Sequence, residues 1–257
     1  MKKYNEIDTY NDLDIEFKLL SGIPVEIETV GYIHSLVLKQ ITQIGYSIYN
    51  LYISALCFNM NDIKDQLGDI KNIDEISCFD VIFRQCSVDE NYKDIILDGL
   101  SLFFNEKVNY VKDYDVFYLG KLEEGRFINR DNYELIKKIL KLQNCIQEPK
   151  EEMDYNPANE RARALIEKIK ENRKNAPKVQ NESNSTLQSI ISGVAWKSHV
   201  GIYSVWDLTI YQLYDAYYRL EIIDNYTNTF TGIFSGNVDA SKMNLKDLSW
   251  SKVIKII

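Results

Sequence analysis

At 257 residues the chain can bury a sizeable core, as one large domain or as two smaller ones. Its hydrophobic fraction of 45% and charged fraction of 26% are those of an ordinary globular protein. A formal charge of −8 argues against general affinity for nucleic acid, because neutralising phosphates requires a basic surface.

The charge is unevenly placed. Residues 1–147 carry 16 bases against 24 acids, residues 148–186 eight of each, and residues 187–257 six of each. The N-terminal part is therefore the acidic one. A solvated face that keeps the protein soluble accounts for it, and attraction of a basic partner protein is the sharper alternative. Cys57, Cys78, Cys86 and Cys145 have no paired spacing and sit among apolar neighbours, which reads as buried free thiols in a reducing compartment. Met1-Lys2-Lys3 is followed by Tyr4-Asn5-Glu6-Ile7-Asp8 without an apolar core, so no secretory signal is expected. No apolar run approaches the roughly 18 residues that a membrane span needs.

Within Leu19 to His34, Val25-Glu26-Ile27-Glu28-Thr29-Val30 alternates with the period of a half-buried strand. Ser35 then caps a helix carrying Leu36, Leu38, Ile41 and Ile44, and Gly45 separates it from a second helix over Tyr46 to Ile53. Ser77 to Cys86 and Asp89 to Phe104 read as further helices. Val108 and Tyr110, then Val116 and Tyr118, predict two strands joined by a turn at Lys112 to Asp115. Asn129 caps an amphipathic helix running through Leu135, Ile136, Ile139, Leu140 and Leu142 to about Ile146.

Residues 148–186 depart in composition, with Pro149, Pro157 and Pro177 and few large apolar residues. A helix over Ala158 to Asn175, with Glu167 and Glu171 at pairing distance from Arg163 and Lys174, has too narrow an apolar face to bury much, and Val179 to Ser185 is a loop. This segment reads as a charged helical tether. Beyond it, Ser185-Thr-Leu-Gln188 has the form of a capping box for a helix to about Trp196. Ser204-Val-Trp-Asp207 starts a longer helix with Trp206, Ile210, Leu213, Tyr217 and Leu220 on one core face, flanked by Tyr211, Tyr214 and Tyr218. A third helix is expected from Ile222 to about Gly232, before a turn at Gly236 to Asp239. The fold class is α+β and predominantly α-helical: an acidic mixed domain over 1–147, the tether over 148–186, and a small aromatic-rich helical domain over 187–257.

Recognisable chemistry is scarce. His34 and His199 stand far apart, neither with a Cys or carboxylate at ligand spacing, and both read as structural or surface residues. The chain has no metalloprotease, nucleophile-elbow or phosphate-loop signature. Acid pairs such as Asp113 with Asp115 arise readily among 38 acids. Lys107 to Lys112 around Tyr110, and Arg126 to Arg130 around Phe127, interleave bases and aromatics, but flanking acids cancel them, and strand and loop structure is the better reading. No catalytic, cofactor-binding or metal-binding residue is assigned. The aromatic residues of 187–257 have two readings: filling of a small core, and an outward patch of Tyr211, Tyr214, Tyr218 and Tyr226 forming a partner-binding surface.

Ile23-Pro-Val-Glu-Ile-Glu-Thr-Val-Gly-Tyr-Ile33, with Gln40-Ile-Thr-Gln-Ile-Gly-Tyr46 and Tyr49-Asn-Leu-Tyr-Ile53, resembles the opening of tail or baseplate-hub assembly proteins of phages infecting Gram-positive bacteria. Val205-Trp-Asp-Leu-Thr-Ile-Tyr-Gln-Leu213, Phe234-Ser-Gly-Asn-Val-Asp239 and Leu245-Lys-Asp-Leu-Ser-Trp250 are similar to their C-terminal part. The resemblance covers about half of the chain and rests on packing residues rather than a catalytic signature. It implies a non-enzymatic, chaperone-like role in tail or baseplate morphogenesis, with phage tail proteins such as the hub or tape measure as partners. It implies no cofactor, nucleic acid or membrane, and leaves room for a homo-oligomer. The setting implied is the bacterial host cytoplasm during infection, or the virion tail if the protein is a permanent structural component. An inhibitor of a host defence protein and an enzyme whose site is assembled from scattered acids are the readings from other classes.

Overall fold

The computed structural model describes residues 11–60, 76–146, 186–239, 241, 243–244 and 248–254. The tether expected over 148–186, with its helix and loop, lies outside the described residues except for Thr186.

The first described element is α1 (Asp12–Ser21), a helix not expected from the sequence, where no element was assigned before Leu19. Asn11 accepts a hydrogen bond from the Leu13 amide at 3.2 Å, Asp12 and Asp14 stand in the positive first turn, and Ile15 and Leu19 face inward. The helix stops at Gly22, whose φ of 74° lets the Gly22 and Ile23 amides turn back onto the last carbonyls. The alternating segment after it is a hairpin, not the single strand expected: β1 (Val25–Ile27) pairs antiparallel with β2 (Gly31–Ile33), Val25 opposite Ile33. The turn is made at Glu28-Thr29-Val30, with Thr29 at φ 67° and the Val30 amide donating to Ile27 O at 3.0 Å. Val25, Ile27, Val30 and Ile33 are all buried, with the period-two spacing of β1 broken at the turn, where Val30 also faces inward.

Helices α2 (Leu38–Ile44) and α3 (Tyr46–Leu56) are joined at Gly45, as expected. The start of α2 differs. Gln40 Oε1 accepts the Val37 amide at 3.0 Å, while Ser35, two residues upstream, donates to Gln143 Oε1 at 3.3 Å instead of capping. Helices α4 (Cys78–Cys86) and α5 (Glu90–Phe104) begin where Ser77 and Asp89 indicate. Ser77 and Asp80 cap each other reciprocally, at 3.2 and 2.8 Å, and Asp89 accepts the Tyr92 amide at 3.1 Å. Helices α3 and α5 approach closely at Gly99. A Cβ there would lie 3.2 Å from both Leu56 Cδ1 and Tyr52 Cβ.

Strands β3 (Val108–Val111) and β4 (Val116–Leu119) pair as expected, and β5 (Phe127–Ile128) joins β4 to complete a three-stranded antiparallel sheet. Beside it Arg126 makes a two-pronged bond to Glu106 and a second ion pair with Glu124, which commits that base to the fold. Helix α6 (Arg130–Gln143) starts at Asn129, whose side chain accepts the Asp131 and Asn132 amides at 3.0 and 3.2 Å. It runs through the middle of the molecule, with Tyr133, Ile136, Ile139 and Leu140 fully buried. The Tyr133 hydroxyl donates to Leu56 O at 2.9 Å, closing the end of α3, and its ring joins Phe79 of α4. Phe79 also meets Phe83 and Phe117.

The C-terminal elements are α7 (Leu187–Lys197), α8 (Gly201–Ser204), a 3₁₀ turn over Val205–Asp207, and α9 (Ile210–Phe234). Two boundaries are corrected. Thr186 caps α7 by accepting the Ser189 amide at 3.2 Å, one residue later than the Ser185 box. The helix expected from Ser204 starts at Ile210 instead, because Leu208 is extended at ψ 145° and Thr209 is the cap; it then continues to Phe234 without the break expected near Ile222. Ile190, Ile191, Val194, Ala195, Val205, Ile210, Tyr211 and Leu213 belong to the same apolar cluster as the N-terminal elements. The fold is α+β and predominantly α-helical, with nine α-helices and two small antiparallel sheets among the described residues.

Candidate partner-binding surface

At its root, α9 is fastened by a residue that serves two helix ends. Thr209 Oγ1 accepts the Gln212 amide at 3.2 Å while Gln212 Oε1 accepts the Thr209 amide at 2.9 Å, and Gln212 Nε2 donates across to Leu20 O at the end of α1 at 2.9 Å. One residue earlier, Leu208 O accepts the Leu38 amide at 2.9 Å, and Thr209 forms an isolated antiparallel bridge with Val37. Ile210, Tyr211 and Leu213 are the buried residues of this helix.

This geometry separates the four tyrosines expected to face outward. Tyr211 is 6% exposed and stands in the first turn of α9, with Glu16 of α1 and Cys145 near its hydroxyl; burial, and then those charges, push its pKa up to about 12. Its expected outward position is thereby corrected. The cause is the later start of the helix, which places Tyr211 at the docking point of α9 rather than on its flank. Tyr214 and Tyr218 are half-buried, their rings 6.2 Å apart, and burial raises both hydroxyls. Asp215, in the same turns, is also half-buried; burial raises its carboxyl and Arg219 opposes the shift. Tyr226 lies beyond this group and stacks on Phe230 at 4.6 Å, which in turn meets Phe234 at 6.1 Å.

From Glu221 onward no residue of α9 is fully buried. At about 1.5 Å per residue the 25-residue helix is about 37 Å long, so its outer half extends well past its anchored root. Phe234 is 84% exposed. Two neighbouring pieces bring further large side chains to the same helix. Lys197 pairs with Asp224, which sets the end of α7 and the exposed Trp196 against the middle of α9. Arg219 donates to Trp250 O at 2.9 Å and Lys252 O at 3.0 Å, holding the segment with exposed Trp250 and Val253 alongside. Tyr203 of α8 is exposed as well. After Phe234 the chain folds back, with the Asn237 and Val238 amides on Gly232 O.

Sequence reasoning missed Trp196, Phe230, Phe234 and Val253 as surface candidates. The signal was the i, i+4 spacing of Tyr226, Phe230 and Phe234, obscured by ending the expected third helix at about Gly232. A second exposed stripe, Leu13, Phe17 and Leu20 on α1, was also missed; it lies opposite the inward Ile15 and Leu19.

Chemistry elsewhere is sparse. His34 is half-buried and gives its backbone amide to Phe103 O, and His199 is exposed. The four cysteines are free, three of them buried and Cys145 half-buried, as expected. Among the described residues no group of three or more His, Cys, Asp or Glu is placed to hold a metal ion, and no helix is long and apolar enough to cross a membrane. An open cavity of about 500 Å³ beside α4 is lined by Asp80, Arg84, Lys112 and Asp115, where Asp80 is already engaged as the cap partner of Ser77 and the ion partner of Arg130.

Residues 177–255 match the family model described as the YomV second domain, a phage-derived family, which is consistent with a phage protein. The matched segment contains the whole of α7, α8 and α9 and the exposed aromatic residues they carry. No curated protein and no solved structure matches the chain.

Proposed function

We propose that this chain is a non-enzymatic phage morphogenesis protein that binds another tail protein, the hub or the tape measure, through the outer half of α9 and the elements alongside it. One observation carries the reading: a segment matched by a phage-derived domain family is also the segment that displays Trp196, Tyr203, Phe234, Trp250 and Val253 at the surface. Large exposed apolar side chains on a well-anchored scaffold are characteristic of protein-binding surfaces, where aromatic rings add contact area at low entropic cost. Tyr214, Tyr218 and Tyr226, half-buried along α9, form the inner edge of that surface, and Tyr211 belongs to its foundation.

The proposed setting is the host cytoplasm during infection, with incorporation into the virion tail or baseplate as the variant in which the protein stays after assembly. Capture of the tagged protein from infected cells, followed by mass spectrometry, tests the reading; a tail, hub or tape-measure protein is the expected partner, and recovery of none of them sinks it. Purified virions separate the variants. A fixed stoichiometry in the particle identifies a permanent component, and absence identifies a transient chaperone.

A further inference from the structure

Lysine is among the residues least often buried, and it is tolerated inside only when its ammonium is paired. Lys137, on the inner side of α6, is 8% exposed. Its Nζ donates to Cys78 Sγ at 2.9 Å and to Glu134 Oε2 at 3.2 Å. Cys78 is 3% exposed and opens α4, where the helix N-terminus favours a thiolate. Its other contact, Phe58 O at 4.0 Å, is long, so the ammonium is the principal partner of the sulfur. Burial raises the Cys78 thiol, and the Lys137 hydrogen bond offsets part of that rise. The pair sits one side chain below the surface, under Glu134, whose carboxylate is half exposed.

The geometry points to Cys78 and Lys137 as a covalent modification site: oxidation by a peroxide joins Sγ to Nζ through one oxygen atom and staples α4 to α6. The thiolate of Cys78 attacks one peroxide oxygen; the S–O bond forms, the O–O bond breaks, and the departing hydroxide takes a proton from the Lys137 ammonium, leaving sulfenic acid, water and the neutral amine. A second peroxide oxidises the neutral Lys137 amine to a hydroxylamine, again releasing water. Condensation of the two hydroxyl-bearing groups expels a third water and leaves the S–O–N bridge. Thiol and amine thus consume two hydrogen peroxide molecules and yield the bridge and three water molecules. A small-molecule thiol cleaves the bridge by attack on sulfur, forming a mixed disulfide as the S–O bond breaks and releasing the Lys137 hydroxylamine; a second thiol frees Cys78, and a further two-electron reduction by thiol returns the amine. The 2.9 Å separation leaves room for one bridging atom without moving either helix, and the product replaces a buried ion pair by a neutral link. Cys57 and Cys86 are governed first by burial, which Lys141 and Lys137 near the former and Lys93 near the latter oppose electrostatically.

Full-length protein treated with hydrogen peroxide and quenched without thiols is examined by intact mass and peptide mapping. Expected is a gain of about 14 Da, one oxygen added and two hydrogens lost, on a linked peptide pair containing Cys78 and Lys137, removed by dithiothreitol. The bridged form melts several degrees higher than the reduced form, because the link restricts the unfolded chain. Lys137→Arg and Cys78→Ser lose the linked species and Cys57→Ser keeps it, each variant being checked by circular dichroism. The wild-type map decides even where a variant fails to fold. Cys78 recovered as a sulfinic acid, joined to Cys57 as a disulfide, or unmodified after surface methionines have been oxidised overturns the assignment.

Discussion

The two halves of α9 belong to one continuous helix and obey different rules. Its first turn is fixed from three sides: Gln212 ties it to the end of α1, Leu208 and Thr209 to the start of α2, and Tyr211 and Leu213 enter the common core. Its outer turns carry Tyr226, Phe230 and Phe234 with no fully buried residue among them. The difference shows that aromatic content alone does not separate a core-forming stretch of helix from an exposed one. What separates them is where the first hydrogen-bonded turn is anchored, since that decides which residues the fold encloses.

Breaking the anchored half has the largest consequences. Leu213, fully buried, leaves a cavity when truncated, and Leu213→Ala is expected to cost about 2–5 kcal/mol, read as a lower denaturation midpoint with an unchanged slope. Gly99→Ala tests the N-terminal core independently, with an expected cost of about 1–3 kcal/mol, because the added methyl meets Leu56 and Tyr52 where α3 and α5 approach most closely. Gln212→Ala removes the side-chain half of the reciprocal cap with Thr209 and the bond to Leu20 together, and about 1–2 kcal/mol should be lost in the same assay.

Asp215 marks the passage between the two halves, and its effect depends on pH. Its folded-state pKa is raised by burial, so the protonated form is the one that favours folding. That contribution is present below the unfolded-state value and lost as the pH rises through the folded one. Asp215→Asn should therefore melt above the wild type at pH 7, with the gap closing as the pH approaches about 4. A gap that widens on acidification would mean that Arg219 rather than desolvation governs the site.

Legibility in the sequence followed the range of the physical cause. Asn129 acts as the cap it was read to be, and Ser77 and Asp89, read as the starts of their helices, prove to be the caps, because a cap is a contact within four residues. The sheet over 108–119 was legible for the same reason, through period-two alternation around a polar turn. The hairpin over Val25 to Ile33 was not, because its turn runs through Thr29 in a left-handed conformation that threonine does not advertise. The start of α9 was hidden similarly. Trp206 lies at helical spacing from Ile210 and Leu213, yet the extended Leu208, held by Leu38, breaks the run, and that partner is 170 residues away in sequence. Misplacing that start turned Tyr211 outward. For the candidate surface, composition pointed to the segment that carries the exposed aromatic residues, while telling buried Tyr211 from exposed Phe234 required the anchor.

The most direct measurement joins stability to binding in one variant. Phe230→Ser with Phe234→Ser changes only outer-half side chains, so stability should stay within about 0.5 kcal/mol of the wild type. Both proteins are tagged and captured from infected cells. The account predicts that the wild type brings down a tail protein and that the doubly substituted chain, equally stable, does not. The same tail protein recovered by both, or by neither, contradicts it.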